Sequence, residues 1–179
     1  MRALISKYFP DEYAESVFRI DYKKLYNQGI RGVIFDIDNT LVHHGDDSTP
    51  EIDELFRIIH SIGLKTVLLT NNDEERVRRF IKNIDTFYVC DAEKPETGGY
   101  KEALRKLSVE RKEAVVIGDQ MFTDILGANR CGISSILVHY IKLPEEKKIG
   151  KKRYIEKLLL FLWKHSSRCH RRFGGIDVK

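Results

Sequence analysis

Short apolar runs alternate with amphipathic stretches from residue 33 to residue 139. The first run, Val33-Ile34-Phe35, is rich in β-branched and aromatic residues and follows Gly29 and Gly32. It reads as a buried strand. The same signal recurs at residues 65–70 (KTVLLT), 86–90 (TFYVC), 114–118 (AVVIG) and 133–139 (ISSILVH). Helices are expected between these runs. Thr49-Pro50-Glu51 opens one, with an apolar face of Ile52, Leu55, Phe56, Ile58 and Ile59, and Gly63 ends it. Asp73 caps a second, running to about residue 83. A third spans 97–107, its start weakened by Gly98 and Gly99, and a fourth spans 122–130, stopping near Cys131-Gly132. Strands that alternate with helices and are apolar on both faces predict an α/β fold: five parallel strands covered on both sides.

The flanks differ from this core. Residues 1–29 form an arm rich in aromatics (Tyr8, Phe9, Tyr13, Phe18, Tyr22, Tyr26), which is expected to pack on the core because so much exposed ring surface is unfavourable. From residue 141 to 179 there are 12 Lys/Arg and 4 Asp/Glu, against 19 and 23 in the first 140 residues. The division expected is therefore an arm (1–29), a mildly acidic core (30–140) and a basic, partly helical extension (141–179). With 179 residues, 42% apolar and 32% charged, the chain suits one globular domain. Residues 1–7 show no signal-peptide pattern, and no stretch approaches a membrane span. Cys90, Cys131 and Cys169 are far apart and in no C-x-x-C pair, so neither a disulfide framework nor a zinc site is expected. The compartment read from this is cytoplasmic.

Candidate chemistry sits at the strand ends. The first strand runs into Asp36-Ile37-Asp38-Asn39-Thr40, the second into Thr70-Asn71-Asn72. Lys94-Pro95 follows the third, and Gly118-Asp119 ends the fourth, with Asp124 five residues on. In a parallel sheet these ends share one edge, where ligands bind. A carboxylate pair there is costly unless a cation or a proton relieves it. Phosphoryl transfer needs such groups: a carboxylate nucleophile, a second acid, oxygen ligands for Mg²⁺, and a hydroxyl, amide and lysine for the phosphoryl oxygens.

DIDNTL, LLTN, the Lys-Pro pair and GDQMFTD, in this order over residues 30–140, resemble the four motifs of the haloacid dehalogenase (HAD) superfamily. The resemblance implies a HAD-like Rossmannoid three-layer sandwich. It implies Asp36 as nucleophile and Mg²⁺ ligand, and Asp38 as general acid/base with its main-chain carbonyl on Mg²⁺. Thr70, Asn71 and Lys94 would bind the phosphoryl group, and Asp119 and Asp124 the metal. Thr40 would stabilise the turn after the first motif. The acid at Asp38 marks phosphatases and mutases rather than dehalogenases. Capped members carry an inserted domain after the first motif or between the second and third. Here residues 42–49 are a short loop, and residues 70–94 hold only a helix and a strand, so no cap domain is expected.

An open site suits a bulky substrate or a lid borrowed from another subunit. His43 and His44 lie near its mouth and are read as a solvated loop. In the extension, Tyr154, Ile155, Leu158, Leu159, Phe161, Leu162 and Trp163 are flanked by Lys147, Lys148, Lys151, Lys152, Arg153, Lys164, Arg168, Arg171 and Arg172. This suits a helix docked on its own domain, the preferred reading, and also an interfacial helix on anionic lipid, at the inner face of the membrane. With Pro10-Asp11-Glu12-Tyr13 in the arm, the chain resembles the YqeG-like group of subfamily IIIA, itself similar to phosphatidylglycerophosphate phosphatases. It departs at Glu96-Thr97-Gly98-Gly99, where a more basic segment is expected. The resemblance implies a Mg²⁺-dependent phosphomonoesterase for phosphatidylglycerophosphate, in phosphatidylglycerol synthesis. A capless phosphatase of a soluble sugar or nucleotide phosphate, with an oligomer-built lid, remains an alternative, as does a phospho-Asp switch or binding module. The acidic core argues against nucleic acid.

Overall fold

The computed structural model of the chain describes residues 5–143, 145 and 150–178. Residues 1–4 of the N-terminal stretch, and Lys147 and Lys148 of the basic flank, lie outside the described residues. A single parallel sheet of six strands organises the rest: β1 (Glu12–Ala14), β2 (Gly32–Phe35), β3 (Lys65–Leu69), β4 (Phe87–Val89), β5 (Ala114–Gly118) and β6 (Ser134–Val138). Their spatial order is β1-β6-β5-β2-β3-β4. The sequence pattern leads to five strands; the sixth comes from the arm. Glu12, Tyr13 and Ala14 pair with Ile136, Leu137 and Val138. Three residues are too few to show alternation, which is why the pattern misses this strand.

β2 is central, between β5 and β3, and is buried along its whole length. Alternate side chains enter opposite layers. Val33 and Phe35 meet α1 (Tyr22–Asn27), α2 (Pro50–Ser61) and α3 (Glu74–Phe80) through Leu25, Phe56, Ile59 and Phe80. Ile34 meets α4 (Thr97–Leu107) and α5 (Leu126–Cys131) through Tyr100, Leu107 and Ala128. This is a three-layer α/β sandwich, and no separate cap domain occurs among the described residues.

Local rules set the helix ends. Thr49 Oγ1 accepts from the Ile52 amide and Asp73 from the Arg76 amide. Within α2, Ile52, Leu55, Phe56 and Ile59 are buried, but Ile58 is half exposed, a correction to the expected apolar face. The helix after Asp73 stops at Phe80 rather than near 83. The stretch expected as one helix over 122–130 is a π-helical turn (Met121–Ile125) leading into α5. Gly99 has a packing reason: a Cβ there would meet the Ala92 Cβ at 2.9 Å and the Ala92 carbonyl oxygen at 3.0 Å.

A third apolar cluster joins the flanks to the core. Leu159 and Trp163 of α6 (Lys151–Lys164) pack with Phe9, Met121, Ile125 and Leu137. Glu12 is fully buried and accepts from the Phe173 and Gly175 amides at 3.1 and 3.3 Å, and it pairs with His170. Asp11 accepts from the Ser135 amide at 3.0 Å. The Pro10-Asp11-Glu12-Tyr13 segment thus ties the edge strand to β6 and to the chain after α6.

Candidate active site

The motif residues stand on the carboxyl edge of the sheet, where the apolar runs end. Asp36 directly follows β2, its amide donating to the Ile117 carbonyl at 3.0 Å. Asp119 directly follows β5. Asp124 lies on the π-helical turn and is 1% exposed. The carboxylates of Asp36, Asp119 and Asp124 each offer an oxygen, all within 4.8 Å of one another. Lys94 reaches into this group: Nζ donates to Asp36 Oδ1 at 2.6 Å and to Asp124 Oδ1 at 2.8 Å.

Two features hold Asp124. Its Oδ2 accepts from the Gln120 amide at 3.1 Å. Tyr100 donates its hydroxyl to the Thr123 carbonyl at 3.0 Å, pinning the turn from α4. Gly118 packs closely against this carboxylate: a Cβ there would lie 2.4 Å from Asp124 Cγ, so a side chain would displace it.

Crowding shapes the electrostatics. Burial, with Asp124 and Asp119 adding and Lys94 opposing, pushes the Asp36 carboxyl up to about 7. Burial and Asp124 raise Asp119 to about 6, against the pull of Arg153. For Lys94, burial disfavours the ammonium, but Asp124 and Asp36 outweigh it and hold the group charged, above the usual lysine range. An all-oxygen, buried donor set with excess negative charge fits a hard divalent cation.

Asp38 has its own set of partners, separate from this cluster. Its Oδ1 accepts from Arg76 Nη2 at 2.9 Å and from the Gly45 amide at 3.1 Å, and its Oδ2 accepts from Asn72 Nδ2 at 2.7 Å. Burial would raise its pKa, but the Asn72, Gly45 and Arg76 hydrogen bonds together hold it below the usual carboxylate value. His44 Nδ1 lies 3.2 Å from Asp38 Oδ2, from an exposed position in the loop. Thr70 is buried, and its hydroxyl accepts from the Asn72 amide and Nδ2 at 3.2 and 2.9 Å. Asn71 uses its side chain on the backbone of Lys94, accepting from the amide at 2.7 Å. Thr40 does more than shape its turn: Oγ1 donates to Asp119 Oδ1 at 3.2 Å.

Two arginines escape sequence reading. Arg76, three residues into α3 after its cap, is nearly buried and holds Asp38; its Nε and Nη1 are buried without a hydrogen-bond partner. Arg153, in the basic flank of the extension, pairs with the Asp119 carboxylate, donates to the Asp119 carbonyl at 2.8 Å and pairs with Glu156 at 2.9 Å. Glu156 accepts from the Met121 amide at 2.8 Å. Nothing local marks either: Arg76 sits in an ordinary first helical turn and Arg153 among other basic residues.

Residues 91–142 match the family model described as "HAD-hyrolase-like". The chain is 36% identical to a probable phosphatase, YqeG, of Bacillus subtilis over 137 residues, covering 75% of this chain and 80% of that one. It is 27% identical to phosphatidylglycerophosphate phosphatase 1 of Arabidopsis thaliana, over 80% of this chain and 44% of that protein. Among solved structures, the cobalt-bound deoxy-D-mannose-octulosonate 8-phosphate phosphatase YrbI of Haemophilus influenzae superposes with a TM-score of 0.51 at 18% identity, covering 78% of this chain and 91% of that chain. That last likeness concerns the fold alone. The motif order, the edge they share and the extended identity lead to one conclusion: the chain belongs to the haloacid dehalogenase superfamily, within its YqeG-like phosphatases.

Proposed function

We propose that this phosphatase is a Mg²⁺-dependent phosphomonoesterase that works through a phospho-Asp36 intermediate, with phosphatidylglycerophosphate as its substrate. The observation that carries the chemistry is Lys94 bridging Asp36 and Asp124 beside Asp119, in a buried cluster at the sheet edge. Asp36, Asp119, Asp124 and the Asp38 main-chain carbonyl would hold Mg²⁺, which when bound neutralises carboxylate and phosphate so that anion can approach anion.

The protein groups supply the rest. Asp36 attacks phosphorus as the bond to the leaving oxygen breaks. Asp38 gives that alkoxide a proton. The approach of a phosphate dianion raises the proton affinity of Asp38, which the free protein holds ionised. Asp38, now a carboxylate, takes a proton from water; the water oxygen attacks the phospho-Asp36 phosphorus, and the bond to Asp36 breaks. Lys94 and the Thr70 hydroxyl bind the phosphoryl oxygens, and Asn71 holds Lys94 in place.

The lipid reading is supported by the lack of a cap domain among the described residues and by the relative named for phosphatidylglycerophosphate. The test is phosphate release with Mg²⁺, comparing phosphatidylglycerophosphate in mixed micelles with soluble sugar and nucleotide phosphates. Lipid preference is expected, and Asp36→Asn should lower turnover by about 10⁴-fold or more. Preference for a soluble ester would discard the lipid. A phosphoenzyme lasting minutes would point to a switch instead of a catalyst.

A further inference from the structure

Helix α6 has two apolar faces. One docks: Glu156, Leu159 and Trp163 are buried against the core. The other, made of Tyr154, Ile155, Leu158, Phe161 and Leu162, is 38–62% exposed. At 100° per residue these five fall within one stripe of about 120° that adjoins the docked face. Lys151, Lys157 and Lys164 are exposed along the same helix. A solvent-facing helix side normally carries polar residues, so five exposed large apolar side chains on one stripe call for an occupant.

We infer that the outer face of α6 docks on the surface of an anionic phospholipid bilayer. The basic frame decides among occupants. An anionic surface complements the lysines, while the apolar stripe enters the headgroup boundary. Two copies paired through this face would set lysine against lysine, and a 14-residue helix presents fewer residues than the roughly 20–30 per side of a stable interface. No helix of the described residues is long and apolar enough to cross a membrane, so the contact is peripheral. The same helix meets the catalytic edge on its docked side, where Arg153 in its first turn donates to the Asp119 carbonyl. The inference deepens the proposed function by naming the surface that would bring a lipid phosphate to the site. It is tested without turnover, so its failure is separate from a failure of the chemistry.

The experiment is flotation of the full chain with vesicles of phosphatidylcholine alone or mixed with phosphatidylglycerol, at low and high salt. Binding is expected only to the mixed vesicles, weakening as salt rises. Leu158→Glu with Phe161→Glu should lower partitioning about tenfold or more. Lys151→Glu with Lys157→Glu should lower it at low salt, an independent arm should the first pair fail to fold. Ile58→Glu, an exposed apolar position on α2, should leave it unchanged. Absence of binding, equal binding to neutral vesicles, or binding untouched by both pairs would overturn the inference. So would light scattering that shows a dimer dissociated by the Leu158/Phe161 pair, which would make the face a subunit contact.

Discussion

At the residue scale, the site is a problem of too much negative charge in too little water. Asp36, with an ordinary value of 3.8, is pushed up to about 7 in the folded protein. Between those values the folded chain keeps a proton that the unfolded chain has released. The stability contributed is complete below the unfolded value and lost as pH rises through 7. A bound cation removes that loss. Mg²⁺ should therefore raise the melting temperature of metal-free protein more at about pH 8 than at about pH 5, and Asp36→Asn should flatten the difference. Equal shifts at both pH values would contradict the assignment of Asp36 to the metal. Arg76 allows a second test. It supplies both a cation and a donor to Asp38, so Arg76→Ala should move the pH–rate profile upward and lower kcat/KM about tenfold or more, part of the ~10²–10⁴ that a positioned acid contributes. Arg76→Lys, which keeps the charge, should recover part of both. A profile that stays in place would show that Arg76 serves folding only.

At the element scale, the turn after β5 matters most. The π-helical turn lies between Gly118 and α5, and on it the Asp124 carboxylate packs against Gly118 at the end of β5. The fit leaves no room for a side chain at Gly118. Gly118→Ala should cost about 1–3 kcal/mol by overpacking and displace Asp124 from Lys94. Denaturant melts with and without Mg²⁺ would show it as lost stability together with a lost metal response. Loss of stability with the metal response intact would separate Asp124 from the cation.

At the scale of the whole molecule, the two flanks complete the core. The arm adds the sixth strand through Glu12–Ala14, and the chain after α6 returns to cover it, with Lys24 donating to the Gly175 carbonyl at 2.6 Å. Trp163 seats α6 and is fully buried. Trp163→Ala should cost about 3–5 kcal/mol. Because α6 also carries Arg153 to Asp119, the same variant should change the Mg²⁺ concentration needed for half-maximal thermal stabilisation. An unchanged half-point would mean that Asp119 keeps its geometry without the helix.

The sequence by itself determined the alternation of strand and helix, the parallel sheet and the edge on which the acids gather. Apolar runs of three to seven residues state their burial directly, and a parallel connection places their ends together. Asp36, Lys94, Asp119 and Asp124 are candidates because they lie at or just beyond the ends of such runs, and their roles come from the resemblance of those motifs to the superfamily's. Tertiary structure alone decided the rest. β1 is too short for a period, so its place depends on β6, more than a hundred residues away. Arg76 and Arg153 look like ordinary surface cations until the fold sets them against Asp38 and Asp119. The stripe of α6 reads as one apolar set in sequence; only packing divides it into a face the core covers and a face it leaves to solvent. Local pattern reports what a residue prefers, whereas partners far along the chain are chosen by the geometry that brings them within reach.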